Sequence, residues 1–257
     1  MSVPIPYGQD EYGVRFDWGP MGARVTRPQV AVVVDVLSFS TSVVVAVERG
    51  MRVYPYPWKD SSAQEFADAH DATLAAGRLA GQDAGAPSLS PASLLTCAGV
   101  ERLVLPSPNG SAIAAAMVAG GATIAAGCLR NAQAIARWLA PAVGSGRTVA
   151  VIAAGERWAE DDSLRPALED HLGSGAILAE LAALGFDAEF SPEASMAAEA
   201  YRRGAGSLGE RMQQCVSGRE LALRGFACDV EVAADLNASE VVPVLVDGAF
   251  EGSGEGR

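Results

Sequence analysis

From Val30 to Val47 the chain is apolar at almost every position, and polar side chains enter only at Asp35, Ser38 and Ser40 to Ser42. Valine dominates positions 30–36 without the alternation of a half-exposed strand, so the segment is predicted as a strand buried on both faces. The apolar residues then resume as a helix, whose N-terminus Ser38, Ser40, Thr41 and Ser42 are suited to cap. The N–H groups of that helix end and the Asp35 carboxylate would share one crevice, a natural place for a metal ion and a phosphate. A strand-to-helix turn whose hydroxyls only cap explains the same residues equally well.

The same design recurs. Alternation in Tyr12 to Phe16 predicts a short edge strand, and Arg52 to Tyr56 a second one, before a helix from Asp60 to about Ala76. Gly77 to Pro91 is a long Gly, Ala, Asp, Ser and Pro loop, and loops of that length are often functional. Glu101 to Leu105 and Thr123 to Ala126 read as strands, followed by helices reaching about Ala119 and Leu139. Pro141 to Gly146 is the best linker candidate. Beyond it, the strand Thr148 to Ala154 ends at Gly155-Glu156. An acidic loop, Glu156 to Asp162, leads to a helix from about Leu164 to Leu184, with Pro166 in its first turn. Helices at Pro192 to Arg203 and Glu210 to Leu223, extended chain at Phe226 to Ala233, an edge strand at Val241 to Val246 and a loose tail after Phe250 complete the reading. Strands alternating with helices imply an α/β fold, layered α/β/α around a largely parallel or mixed sheet. It could form two similar lobes, 1–140 and 147–250, or one compact unit.

Composition narrows the function. The 257 residues carry 19 Lys and Arg against 31 Asp and Glu, a net charge of −12 that disfavours nucleic acid and anionic membrane as partners. Lys59 is the only lysine, so arginine does almost all the cationic work. Cys97, Cys128, Cys215 and Cys228 have no C-x-x-C spacing, and no leader pattern or bilayer-length apolar run is present, which together predict a cytoplasmic protein with reduced thiols. A homo-oligomer is compatible with all of this.

Several mechanisms lack their residues. Asp35 is followed at +2 and +4 by Leu37 and Phe39, where a haloacid-dehalogenase-type phosphatase needs Asp and Thr. There is no G-x-x-x-x-G-K-[ST] loop, and Gly204 to Gly209 spells G-x-G-x-x-G after a predicted helix instead of a strand. Neither His70 nor His171 lies in H-E-x-x-H, and a surface or satisfied role is predicted for both. Carboxylates remain: Asp35, Glu156, Glu169 and Asp170, with Glu160 to Asp162 read as a solvated loop. Magnesium prefers such hard oxygen ligands. Because ligands of open α/β sheets bind beyond the carboxyl ends of the strands, Asp35, Ser40, Thr41, Asn109, Ser111, Arg130 and Glu156 could gather in one crevice.

These residues resemble the 2-phosphosulfolactate phosphatases, the ComB-like family. The signature D-V-L-R-A-[ST]-T-T is similar to Asp35-Val36-Leu37-Ser38-Phe39-Ser40-Thr41-Ser42, and T-T-N-G-T to Ser107-Pro108-Asn109-Gly110-Ser111. G-[SC]-x-x-N-A resembles Gly127 to Ala132, and E-D-x-x-x-[AS]-G resembles Glu169 to Gly175 after Ala154-Gly155. Gly218-Arg219-Glu220-Leu221 through Gly225-Phe226, then Val242-Pro243-Val244, match a C-terminal pattern. Ser38-Phe39 departs from the signature, which has an Arg there; Arg78 or Arg130 could replace its charge. The resemblance implies a Mg²⁺-dependent phosphatase that hydrolyses a small anionic phosphate ester, 2-phospho-3-sulfolactate, in coenzyme M biosynthesis. The corresponding roles are Mg²⁺ on Asp35 with Glu156 or with Glu169 and Asp170, phosphate on Ser40, Thr41, Asn109 and Ser111, and charge compensation by Arg130 or Arg78. The alternative is a non-catalytic anion-binding or regulatory protein of the same fold.

Overall fold

A computed structural model describes residues 6–57, 61–79 and 86–253. Lys59, Asp60 and the middle of the Gly77 to Pro91 loop lie outside them. Eleven strands are present among the described residues: β1 Val14–Trp18, β2 Val30–Val34, β3 Arg52–Tyr56, β4 Thr73–Leu74, β5 Arg102–Pro106, β6 Thr123–Gly127, β7 Val149–Ala153, β8 Glu156–Arg157, β9 Leu164–Arg165, β10 Pro243–Val246 and β11 Ala249–Gly252. The helices are α1 Gly19–Thr26, α2 Phe39–Glu48, α3 Ser62–Ala69, α4 Pro91–Thr96, α5 Gly110–Ala119, α6 Ala132–Gly144, α7 Leu168–Leu181, α8 Pro192–Gly204, α9 Leu208–Gln214, α10 Val216–Leu223 and α11 Ala227–Ala234.

Nine strands form one mixed sheet in the order β1-β7-β2-β6-β10-β11-β3-β5-β4. Strands β1, β7, β2 and β6 pair parallel, as do β3, β5 and β4. The antiparallel hairpin β10–β11 joins the two runs through single registered pairs, Val244 with Ala125 and Phe250 with Val53. Its turn is Asp247-Gly248, both at positive φ, the two-residue connection that matches strand twist.

The unbroken apolar run of β2 follows from its place in this sheet. Val30, Val32 and Val34 enter one core with α6, α7 and α8, while Ala31 and Val33 enter the other with α2 and α5. β7 divides likewise, Val149, Val151 and Ala153 to one side and Ala150 and Ile152 to the other. The architecture is therefore layered α/β/α.

The structure revises several boundaries. Pro141 lies in the last turn of α6, so no free linker precedes β7, which pairs between β1 and β2. The helix predicted from Leu164 starts at Leu168 instead, because Leu164–Arg165 pairs with Glu156–Arg157 as a ribbon. Phe226 to Ala233, read as extended chain, is helical from Ala227, and the helix predicted across 210–223 breaks at Cys215. Pro243 sits in an interior strand, tolerated because it is the strand's first residue. Of the tail read as loose after Phe250, Glu251 and Gly252 complete β11, and residues 254–257 lie outside the described residues. Among the described residues no helix is long and apolar enough to cross a membrane.

Candidate active site

Asp35 follows β2 directly, and its two carboxylate oxygens are held by different helices. Oδ1 accepts the Phe39 amide of α2 at 3.1 Å and Oδ2 accepts the Gly110 amide of α5 at 3.1 Å. Two helix N-termini thus converge on one anion. They come this close because Gly110 has no side chain: a Cβ there would lie 2.2 Å from the Phe39 ring. Gly110→Ala is expected to force the helix ends apart, costing about 1–3 kcal/mol and lowering the melting temperature together with activity. Retention of both would place the two ends in no functional contact.

The hydroxyls of the β2–α2 turn do other work than the sequence suggests. Ser40 Oγ donates to Val33 O at 2.9 Å and accepts from Asp35 N at 3.0 Å, and Thr41 Oγ1 donates to Val36 O at 2.7 Å. Both side chains are fully buried, so their donors are spent on the backbone and leave no free bond for a phosphate. Ser38 and Ser42 both donate to Leu89 O, tying the turn to the segment that leads into α4.

Three more carboxylates face Asp35. Glu156 follows β7 and accepts from Asn109 Nδ2, which follows β5, at 3.1 Å. Asp170, in the first turn of α7, accepts Val36 N at 2.7 Å and Gly155 N at 2.8 Å, binding the loops after β2 and β7 to each other. Gly155 takes φ +66°, which any Cβ would strain. Glu169 is buried beside Asp170 and lies against the Cys215 thiol, which burial and that carboxylate push up to about 12.

This crowding of charge sets the titration of the group. Burial, outweighing the Phe39 and Gly110 amides and the Arg78 charge, pushes Asp35 up to about 6, with Glu169 adding to the rise. Glu156 is pushed up to about 7 by burial, then by Asp35 and Glu169, against the pull of Arg165 and Asn109. Burial, Asp35 and Glu169 hold Asp170 well above the usual carboxylate range, although its two amide bonds oppose this. Folded-state values above the unfolded ones mean that the folded protein binds these protons more tightly. Stability from this group is full below about pH 4 and is lost as pH rises through about 6 and about 7. Melting curves of the metal-free protein should therefore show a loss between those limits to which Glu156 alone contributes about 3 kcal/mol. It would be measured as the change on raising pH in wild type minus that in Glu156→Gln; equal changes would contradict the coupling.

Two cations face the carboxylates. Arg78 donates to Ser38 Oγ, the position at which the family signature carries its Arg, and its charge acts on Asp35. Asp229 of α11, fully buried, holds Arg78 Nε at 3.3 Å and also accepts from Ser90 Oγ and Ala92 N. Arg165 acts on Glu156 from the β8–β9 ribbon. Sequence reasoning missed Asp229 and Arg165, the first because its helix was read as extended, the second because its ribbon was read as helix.

Other predicted residues lie elsewhere or in different states. Arg130 is buried and engaged by Asp235, Glu48 and the Val232 carbonyl, on a cavity of about 620 Å³ lined also by Leu95, Gln213 and Glu231. Neighbouring Asn131 ties the end of β6 to Val241, which makes that motif a fastening for the C-terminal strand. Ser111, in the first turn of α5 beside Gly110, is buried with no hydrogen-bond partner for its hydroxyl among the described residues. His171 is half-buried between Phe16 and Trp18, ring centroids 5.6 and 5.9 Å away, not a surface residue. His70 is satisfied by Phe66 O at 2.8 Å. Among the described residues no three His, Cys, Asp or Glu side chains are grouped as ligands for one metal ion.

The 2-phosphosulpholactate phosphatase family profile matches residues 21–248, a span that includes Asp35, Asn109, Glu156 and Asp170. A Deinococcus radiodurans protein named probable 2-phosphosulfolactate phosphatase is 32% identical over 226 residues, covering 86% of this chain and 89% of that relative. Both matches extend over most of the chain, which belongs to the 2-phosphosulpholactate phosphatase family and is a phosphoric monoester hydrolase.

Proposed function

We propose that the crevice between Asp35 and Glu156 hydrolyses a small phosphate ester bearing further anionic groups, 2-phospho-3-sulfolactate by kinship, with Mg²⁺ as cofactor. One observation carries the reading: Asp35, accepting from two helix N-termini, stands in one cluster with Glu156 and Glu169, and the charges of Arg78 and Arg165 act on that cluster. The donor set suits a hard cation that takes one or two carboxylates and completes its shell with water and phosphate oxygens. Asp35 would hold it together with phosphoryl oxygens and water, which leaves Glu156 free to carry a proton, while Asp170 joins the loops after β2 and β7 and Glu169 is turned to Cys215. Mg²⁺, when bound, supplies polarisation of a phosphoryl oxygen and neutralisation of charge.

The residues of the chain do the rest. Asn109 and the Ser111 hydroxyl, which is buried without a partner among the described residues, would donate to phosphoryl oxygens at the α5 N-terminus, where backbone N–H groups favour an anion. Arg78, held by Asp229, offsets charge beside Asp35. A water oxygen attacks phosphorus and the ester P–O bond breaks. Glu156, raised to about 7, gives its proton to the leaving alkoxide and recovers one from the phosphate formed. The non-catalytic alternative drew on the missing signature Arg, and Arg78 brings a guanidinium to that position. Phosphate release from a panel of 2-phospho acids and simple phosphate esters, with Mg²⁺ or with a chelator, tests the proposal. Release is expected from the acid-bearing esters with Mg²⁺ and to fall to background with chelator; background rates throughout would end it.

A further inference from the structure

Among the described residues, Arg165 is the one cation at the crevice left without a hydrogen bond or ion pair. Arg78 is bonded to Asp229 and Ser38, and Arg130 to Asp235, Glu48 and Val232 O. Arg165 makes no hydrogen bond or ion pair among the described residues, although it is half-buried and sits in a carboxylate-rich neighbourhood. A guanidinium loses hydration on burial and normally recovers it with a partner.

Its position is fixed by the backbone. Glu156 and Arg165 are directly opposed in the antiparallel ribbon β8–β9, so both side chains leave the same face, and the guanidinium lies over the Trp158 ring at 5.7 Å from its centroid. The other charged residue of the ribbon, Arg157, is used up on Asp162 at 3.1 Å. The base of the ribbon is close-packed, since a Cβ on Gly155 would stand 2.9 Å from Arg165 O and 2.7 Å from a Leu164 methyl carbon. Glu156 itself faces Asn109 at a small cavity of about 80 Å³ that Leu164 and Trp18 also line. A planar five-donor fork is thereby held beside the reacting carboxylate with its donors unused.

We infer that Arg165 grips the second anionic group of the substrate, a carboxylate or sulfonate on the carbon chain of the phosphate ester, and so sets specificity. The inference rests on the proposed phosphatase reading of the Asp35–Glu156 crevice. The ester's phosphoryl group lies toward Asn109 and α5 and its acidic tail toward the ribbon, where a planar fork suits a carboxylate or sulfonate. Trp158, half exposed, keeps the guanidinium in place by stacking.

The test compares wild type with Arg165→Ala and Arg165→Lys in two ways. For turnover, KM for 2-phospho-3-sulfolactate should rise about 10–100-fold in Arg165→Ala, and its kcat/KM relative to that for phenyl phosphate, whose tail is neutral, should fall by at least about tenfold. Arg165→Lys should recover part of the loss. For binding, calorimetry with 3-sulfolactate and with inorganic phosphate should show the first weakened and the second kept in Arg165→Ala. An equal loss for both probes assigns Arg165 to the phosphoryl group and overturns the inference, as does no change in either or failure of wild type to bind sulfolactate. If wild type binds sulfolactate through Arg165 yet releases no phosphate from any ester, the phosphatase reading falls and the anion site stands.

Discussion

Asp35→Asn is expected to leave no more than about one part in 10³ of the wild-type phosphate release, a loss of about 4 kcal/mol of transition-state stabilisation. The carboxylate follows β2 directly, accepts from both helix N-termini and faces Glu156 and Glu169. Asn keeps its shape but loses the charge that a cation needs. It also turns an NH₂ toward one of the two amides that Asp35 accepts, at a cost of about 1–3 kcal/mol. Removal of like-charge repulsion works in the opposite sense, so near pH 8 the melting temperature should move by only a few degrees. Glu156 should titrate lower in the variant because one of its two repelling carboxylates is gone. Steady-state kinetics beside melting curves separate the effects. Activity within about tenfold of wild type would remove Asp35 from the machinery.

Asp170→Ala is expected to have the largest effect on stability, about 3–5 kcal/mol, or roughly a 10 °C fall in melting temperature for a chain of this size. Its two carboxylate oxygens satisfy the amides of Val36 and Gly155, and the variant leaves both buried N–H groups without a partner. The loops after β2 and β7, which carry Asp35 and Glu156, would lose their common anchor, so activity should fall as well. Relief of repulsion from Asp35 and Glu169 offsets part of the cost. Asp170→Asn keeps one acceptor and should fall between. Thermal and denaturant unfolding measure this directly, and a shift below about 2 °C for Asp170→Ala would show that those amides find other partners.

The frame of this site was legible in the residues. Continuous valine in β2 and the apolar TVAVIAA run around β7 announced strands buried on both faces, and the loops after β2, β5 and β7 do bring Asp35, Asn109 and Glu156 together. What escaped were the uses that side chains find only in three dimensions. Ser40 and Thr41 looked like phosphate ligands, but each is closer to a backbone carbonyl of its own turn than to open space. Arg130 stood at the right distance after a strand, yet the C-terminal helix α11 and the residue after it supply Val232 O and Asp235 to hold it. Residues 227–234 carry strand-prone Val and Cys, and packing against α9, α10 and α4 makes them helical, which brings Asp229 to Arg78. The two-residue strands β8 and β9 are too short for periodicity to reveal, so Arg165 opposite Glu156 had no signal in the pattern. Likewise the Asp247-Gly248 turn was the one clue that the tail returns as β11.

The most direct test is a crystal structure of the protein with Mn²⁺, an anomalous scatterer in place of Mg²⁺, and orthovanadate in place of the phosphoryl group. The account predicts metal on Asp35, with the vanadate oxygens toward Asn109, Ser111 and the α5 N-terminus. Metal and vanadate together at the Arg130 cavity, or a bound pair that does not touch Asp35, would contradict it.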